Sequence, residues 1–600
     1  MSEHLAIMIR RRAKEFAGLK AYGFQNEQKQ WEYRSWEEFV EQIDTLAVGL
    51  LELGIAPKTH MAIFAQNCPE WTIADFAILS IRGVVVPMFA TISAEQAKYI
   101  LEDSDAKVVF VGGQAQYDAI KTLRSEGFVF QKVIVMDASV KIAEDEVELY
   151  YADVMKLGEK GNALKVQHIL AQSKMTDLAS LIYTSGSSGI PKGVMLDHEN
   201  FAFSRHTLDL RIDVGVGDTS LAFLPLSHVY ERGWTYYMLS RGVTNAYLSN
   251  PREVMEAFKA VKPTLLCSVP RLYEKIYSTI YAKLEEASPL KRKIFHWSVG
   301  MGEAVLNRKN AQRSVPLTLK LRHKLAEKLV LKKLREVLGG NIKSIPCGGG
   351  KLSPSILRFF HAVGMPIRNG YGMTETTALI SSFEDTGINF QSIGKVMPEM
   401  QVKLGAKNEI LVKAPNVMKG YYKMPEETKK VLEGGWLHTG DIGRFDSHGN
   451  LVFEERLKDL MKTSGGKYIA PQMIESKIGK DQFIEQIAVI GDEKKYVTAL
   501  IVPAYDVLEE WAKKKGVQYN SMKELIENST VADFMTKRIA NLQCGLAKFE
   551  KIQKFKLLSK GFSQEKGELT PTLKIKRKVI DEHFKKEIEE MYDEPNKKRA

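Results

Sequence analysis

Tyr183–Val194 reads YTSGSSGIPKGV and follows directly on the apolar run Leu178–Ile182 (LASLI). A short apolar run that ends in serine and glycine reads as a buried strand entering a loop. The loop carries the hydroxyls of Thr184, Ser185, Ser187 and Ser188, the glycines Gly186 and Gly189, and Lys192. Glycine lets backbone N–H groups approach a polyphosphate, hydroxyls donate to it, and lysine supplies a point charge. A Gly/Ser linker shares this composition, but a linker has no reason to sit against a buried strand or to end in PKGV. No Gly-Lys pair in the chain is followed by Ser or Thr, which excludes a Walker A loop, and no GxGxxG run marks a dinucleotide site.

On both sides of this loop helical patterns alternate with short β-branched runs. His60–Phe64 (HMAIF), Arg82–Pro87 (RGVVVP) and Ala106–Gly112 (AKVVFVG) read as strands, Pro69–Ile81 as a helix, and Gly49–Gly54 as the close of a helix. The rhythm returns at Asp177–Thr184, Thr264–Ser268 and Ile342–Cys347. Alternation at this spacing predicts parallel α/β layers. Past Gly449 the chain becomes Lys-rich with shorter elements, and Leu451–Lys458 reads as a strand leading into a hinge. The α/β chain thus divides into a large multi-layer domain over residues 1–456 and a small, mobile α+β domain over 457–600. A basic helical insertion falls at about 286–340.

The 600 residues carry 85 Lys+Arg against 73 Asp+Glu, a net +12, with 44% hydrophobic and 9% aromatic residues. That is ample for large cores and excludes wholesale disorder. A basic balance invites nucleic acid or an anionic membrane as partner. Residues 290–335 alone hold 13 Lys+Arg against two acids, Glu303 and Glu327, so this segment carries +11 and the other 554 residues only +1. Within it Leu317, Leu321, Leu325 and Leu329 recur every four residues beside Lys320, Lys324, Lys328 and Lys332. This describes a cationic amphipathic helix. Two readings stand open: leucines packed on the core beneath solvated lysines, or a helix lying on an anionic membrane.

Cys68, Cys267, Cys347 and Cys544 are far apart and form no CxxC pair, which argues against a disulfide scaffold or zinc site and fits a reducing compartment. The N-terminal MSEHLAIMIRRRAKEF lacks the apolar core of a secretory signal. The most apolar stretch, Trp71–Ser93, is broken by Asp75, Arg82 and Pro87, so no membrane span is expected. These features predict a soluble cytoplasmic protein, at most peripheral to membranes.

The phosphate loop resembles the signature of the adenylate-forming superfamily of acyl-CoA synthetases, adenylation domains and luciferases. The resemblance continues in order along the chain. Leu224–Arg232 (LPLSHVYER) and Lys262–Tyr277 (KPTLLCSVPRLYEKIY) are similar to the long-chain acyl-CoA synthetase branch. Cys347–Gly350 (CGGG), Asn369–Thr376 (NGYGMTET), Gly435–Asp441 (GWLHTGD), Arg456–Lys462 (RLKDLMK) and Thr463–Pro471 (TSGGKYIAP) follow. The resemblance implies a large adenylate-forming domain, a small mobile C-terminal domain, and an AMP-forming acid–thiol ligase. A fatty carboxylate attacks the α-phosphate of ATP to give acyl-adenylate and pyrophosphate, and coenzyme A then displaces AMP. Both nucleophiles arrive with the substrates, so the protein's work is alignment and charge stabilisation.

The same resemblance implies the site residues. Thr184 and Glu375 would hold Mg²⁺, and Ser185, Gly186, Ser187, Ser188, Gly189 and Lys192 would wrap the β- and γ-phosphates. Gly348, Gly349 and Gly350 would border the adenine, with Tyr371 stacked on it and Asn369 at its polar edge. Gly372 and Met373 complete that motif, and Thr374 would meet the α-phosphate. Asp441 would take the ribose hydroxyls, with Arg456 as a second contact. His228 falls near the substrate carboxylate, and Trp234 would gate an acyl tunnel. Lys458 matches the hinge, preceded by Glu455 where Gly or Asp is more usual. Gly465 and Gly466 would line the coenzyme A channel. The adenylation lysine lies in Glu568–Lys578 (ELTPTLKIKRK), where the K-I-x-R pattern selects Lys574.

The leading expectation is therefore an ATP-dependent long-chain fatty acyl-CoA synthetase using Mg²⁺, ATP and coenzyme A. A rival within the superfamily is an acyl-AMP ligase loading a carrier protein. A rival from another class, a nucleic-acid or membrane module, rests on charge alone, and the nucleotide motifs argue against it.

Overall fold

The computed structural model describes residues 3–143, 145–185, 190–457, 461–464, 467–570 and 574–592. Its central feature is an eight-stranded sheet. In spatial order the strands are Gly420–Tyr421, Pro191–Asp197, Leu178–Ser185, Val84–Met88, His60–Phe64, Val108–Val111, Lys132–Val135 and Glu148–Tyr150. From Leu178–Ser185 onward the strands run parallel, while the first two pair antiparallel. Ile63, Val85, Val108, Phe110 and Ile134 enter the core on one face, and Ala62, Val84, Val86, Val109 and Val133 the core on the other. A sheet covered on both faces needs apolar residues at successive positions, which is why these strands read as unbroken hydrophobic runs.

The stretch Trp71–Ser93 resolves into a helix, Pro69–Ser80, and the strand Val84–Met88. The helix is buried on every side, as expected of one that is apolar all round. Its Asp75 is paired with Arg232 and Tyr236 inside the protein. No described helix is long and apolar enough to cross a membrane.

A second layer begins with the strands Thr219–Ala222, Thr244–Tyr247, Lys20–Gln25 and Trp31–Ser35. Thr264–Ser268 is not a continuous strand: Leu265 and Ser268 make single bridges that link this sheet to Ile345–Cys347 and Ile367–Tyr371. An antiparallel sheet of Gln401–Leu404, Glu409–Lys413, Leu437–Phe445 and Leu451–Arg456 completes the large body.

Residues from Met461 onward form cores of their own around Ile484–Ile490, Val497–Pro503 and Ile552–Leu557. Here too alternate residues serve opposite faces, Val489 and Ile501 one core and Ile490 and Leu500 the other. This unit meets the helix Pro270–Glu285 through Arg271 and Glu485, 3.7 Å apart, and through Gln482, which donates to Glu285 at 3.3 Å.

The basic segment folds as two helical stretches, Pro289–Asn310 and Leu317–Arg335, the second with a π turn at Glu327–Leu331. Ala326 and Leu331 pack inward, whereas Leu317, Leu321, Leu325 and Leu329 face solvent. Of the two readings of this stripe, the packed one is the one the structure rejects.

Candidate active site

Leu178–Ser185 and Pro191–Asp197 form an antiparallel hairpin, with Thr184 opposite Lys192 and Ser185 opposite Pro191. The two described ends of the phosphate loop thus lie side by side; Gly186, Ser187, Ser188 and Gly189 lie outside the described residues. Gly193 sits closely against Tyr183, where a Cβ would stand 3.0 Å from the ring. Lys192 donates to Glu427 at 2.7 Å, and its Nζ lies 5.0 Å from the centre of the Tyr421 ring. Tyr421 donates to Glu375 Oε1 at 2.8 Å. Lys192, followed by Lys430, holds the Glu427 carboxyl at about 2. Burial pushes the Glu375 carboxyl upward. Glu375, Tyr421, Lys192 and Glu427 thus form one chain beside the loop.

On the other side, Asp441 and Arg456 are cross-strand partners. Arg456 Nε donates to Asp441 Oδ1 at 3.0 Å, and Tyr371 Oη donates to Asp441 Oδ2 at 2.5 Å. Asp441 is 1% exposed while the Arg456 side chain is 45% exposed. Burial raises the Asp441 carboxyl above its usual range, with Arg456, Tyr371 and Lys574 opposing. Tyr371 ends the strand Ile367–Tyr371, and the chain turns sharply after it: a Cβ on Gly372 would lie 2.1 Å from the Ala378 carbonyl oxygen. Asn369 Nδ2 donates to the Ser392 carbonyl at 3.0 Å, so one of its two amide N–H donors is engaged within the protein. Thr374 is buried in the following turn.

His228 caps the helix Val229–Ser240. Its Nδ1 accepts the Tyr230 N–H at 3.2 Å, which leaves Nε2 to carry the ring proton. Burial, assisted by Lys574, lowers the His228 pKa to about 4, so the imidazole is neutral at pH 7. A cavity of ≈ 100 Å³ opens between His228, Trp234, Gly348, Gly349, Tyr371 and Met373. Trp234 is buried and donates to Ser220 Oγ at 3.1 Å, so its indole is anchored in the wall. Gly349 has φ +79°, a left-handed conformation that favours glycine, and a Cβ on Gly350 would sit 3.4 Å from Pro270.

Lys574 comes from the small domain, yet its charge acts on both His228 and Asp441. Its backbone is pinned by reciprocal bonds with Thr570: Thr570 N–H donates to the Lys574 carbonyl at 2.8 Å and Lys574 N–H to Thr570 Oγ1 at 3.0 Å. The structure thus brings Thr184, Lys192, Glu375, Tyr371, Asp441, Arg456, His228 and Lys574 to one region. Lys458, Gly465 and Gly466 lie outside the described residues. Sequence reasoning missed Tyr421 and Glu427, which link Lys192 to Glu375; they fall in an ordinary-looking GYYKMPEE run with no spacing signal.

The donor set fits Mg²⁺. Among the described residues no group of three or more His, Cys, Asp and Glu side chains gathers as a cage. Glu375 offers one carboxylate next to the phosphate loop, and Mg²⁺ commonly takes one or two carboxylates together with phosphate oxygens.

The architecture is that of the adenylate-forming enzymes: it aligns with the crystal structure of the adenylation domain of a carboxylate reductase from Mycobacterium chelonae. The TM-score is 0.77 at 22% identity, covering 98% of this chain and 91% of that one. The chain belongs to the AMP-binding enzyme family, whose model matches residues 9–422, with the AMP-binding enzyme C-terminal domain at 458–596. It is 32% identical over 573 residues to the long-chain-fatty-acid–CoA ligase FadD15 of Mycobacterium bovis, covering 94% of this chain and 93% of that protein. It is 28% identical over 587 residues to the peroxisomal long chain acyl-CoA synthetase 7 of Arabidopsis thaliana, covering 94% and 82%.

Proposed function

We propose that this protein is an AMP-forming long-chain fatty acid–CoA ligase. The observation that carries the reading is the junction of an apolar cavity with a nucleotide-side wall, Gly348, Gly349 and Tyr371, at a neutral, buried His228 facing the charge of Lys574. A carboxylate headgroup at that junction has its chain in the cavity and its oxygens toward the nucleotide. In the first half-reaction a carboxylate oxygen forms a bond to the α-phosphorus, and the bond to the β-phosphate breaks with release of pyrophosphate. His228 Nε2–H orients the attacking carboxylate. Lys574 balances the negative charge that gathers between carboxylate and phosphate.

Asp441 takes the ribose hydroxyls once Tyr371 and Arg456 yield to the nucleotide. Lys192 exchanges Glu427 for phosphate. Thr184 and Glu375 would hold Mg²⁺, which when bound neutralises phosphate charge. In the second half-reaction the thiol sulfur of coenzyme A bonds to the acyl carbon and AMP leaves. Lys458 as hinge, and Gly465 and Gly466 as the channel for that thiol, belong to this proposal. Peripheral contact with an anionic membrane belongs to it as well, since long-chain acids partition into bilayers. Transfer to a carrier protein is not favoured, because the long-chain relatives are named for coenzyme A.

The test is AMP release and thioester formation with coenzyme A across saturated acids from acetate to long chains. Rates rising with chain length are expected. Maximal rates on acetate, or AMP release only with a carrier protein, overturn the reading.

A further inference from the structure

His228 is held in place by a side chain from far away in the sequence. It ends residues 223–228, a segment without helix or strand between the strand Thr219–Ala222 and the helix Val229–Ser240. The His228 N–H donates to the Pro225 carbonyl at 2.9 Å and closes this segment into a turn. The other backbone groups of such a turn need partners outside it. Asn67 supplies two of these and anchors the strand end as well. Its Nδ2 donates to the Leu224 carbonyl at 2.7 Å and to the Ala222 carbonyl at 3.3 Å, and its Oδ1 accepts the Leu226 N–H at 3.0 Å. Two carbonyls on one side and an N–H on the other fix which way the amide faces. The Leu224 N–H donates to Glu231 Oε2 at 3.0 Å, a carboxyl sealed inside the protein.

Asn67 is buried and lies in the loop between the strand His60–Phe64 and the helix Pro69–Ser80. Farther along that helix, Asp75 pairs with Arg232 in the helix that His228 caps. The two ties fix different things. Asp75 holds the helix, whereas Asn67 holds the turn before it, from which His228 faces the cavity. We infer that Asn67 is a positioning residue for the adenylation step, acting through His228. Its amide sets the turn, and the turn sets the imidazole against the substrate carboxylate. The inference rests on the proposed role of His228. Filling the space between a strand end and a helix start calls for no carboxamide, because burying one is costly unless its polar atoms are paired. Here they are paired, and every partner is backbone on the path to His228. Asp has the same shape but brings no donor to the two carbonyls when ionised, and Ala removes all three bonds. A shift of the reacting groups by about 1 Å is enough to cost about 10²-fold in rate.

The test measures initial rates of thioester formation with palmitate varied and with ATP varied, in the parent, N67A, N67D, H228A and N67A/H228A. N67A should lower kcat/KM for palmitate about 10²-fold while KM for ATP changes by less than about twofold. N67D, which keeps the shape, should fall as far. N67A/H228A should be no slower than H228A alone, because a residue acting only through His228 has nothing further to lose. Thermal midpoints show whether each variant is folded at the assay temperature. Parent-like kcat/KM for palmitate in N67A or N67D, a matching rise in KM for ATP, or losses that multiply in the double variant overturn the inference. A variant unfolded at the assay temperature makes Asn67 a structural residue and overturns it too. Loss in H228A with none in N67A sinks the inference alone. Full activity in H228A sinks the role of His228 and the inference with it, while thioester formation by the parent still tests the ligase reading.

Discussion

Two Asp–Arg–Tyr clusters in this molecule use the same three side chains for opposite ends. At the first, Asp75 accepts Arg232 Nε at 3.0 Å, Arg232 Nη2 at 2.5 Å and the Tyr236 hydroxyl at 2.6 Å. Arg232 also donates to Ser180 Oγ at 2.7 Å, and its guanidinium lies among the Trp71, Phe201 and Tyr236 rings. Both charged side chains are 1% exposed. At the second, Asp441 accepts Arg456 and Tyr371, but Arg456 stands half in solvent and Tyr371 lines a cavity. The sealed cluster ties the helix Pro69–Ser80 to the strand that leads into the phosphate loop and to the helix capped by His228. In the proposed reaction the open one gives up its partners to the nucleotide. What separates glue from site is access, since the chemistry of the groups is shared.

The largest way to break the comparison is Asp75→Asn. Removing one partner leaves Arg232 charged and buried, so a loss of about 3–5 kcal/mol is expected in denaturant unfolding of the large domain. A double replacement, Asp75→Leu with Arg232→Met, should recover much of it. Wild-type stability in Asp75→Asn would show that the sealed pair is dispensable.

Next is Lys574→Ala, which removes the charge facing Asp441 and His228. A fall of about 10²–10³ in pyrophosphate-forming turnover is expected, with conversion of supplied acyl-AMP and coenzyme A retained. Unchanged pyrophosphate exchange would refute the assignment.

Asp441→Asn should behave unlike its twin at Asp75. Burial already makes its ionised form costly, so unfolding should shift by less than about 0.5 kcal/mol while kcat/KM for ATP falls about tenfold, equivalent to about 1.4 kcal/mol. A large stability loss would place Asp441 with the structural cluster.

The effect that is smallest at pH 7, and grows only in acid, comes from a third buried polar pair. His4 and His198 stack at 3.4 Å between centroids. Burial lowers His4 to about 4 and His198 well below its usual value. The unfolded chain therefore binds more protons than the folded one between about pH 6.5 and pH 4. Stability should be level above about pH 6.5 and decline as pH falls below it. His4→Asn should flatten that decline in thermal melts collected at a series of pH values.

Much of the fold was legible in residue order. The runs HMAIF, RGVVVP and AKVVFVG are strands because a sheet covered on both faces admits apolar residues at successive positions, and that pattern is local. The helix beginning at Trp36 carries its own start signal, with Ser35 and Glu38 capping each other, although it runs through Gly49 to Glu52. Thr264–Ser268 read as a strand and is not one. Its backbone is shared between two sheets through isolated bridges, an arrangement that depends on residues far away in the chain. The ordered motifs named the family and a set of candidate site residues, but they did not contain Tyr421 or Glu427, nor the bond from the Asn369 amide to Ser392.

The chain by itself determined the α/β layering, the glycine, hydroxyl and lysine composition of the loop after Leu178–Ile182, and the concentration of charge in one helical segment, because each is written in neighbouring residues. Only the tertiary structure decided which aspartate is sealed and which is open, and that Leu317, Leu321, Leu325 and Leu329 face outward. Burial is set by partners distant in sequence, as with Asp75 and Arg232, 157 positions apart. A helical stripe of leucines carries no local mark of whether a core, a membrane or water lies against it.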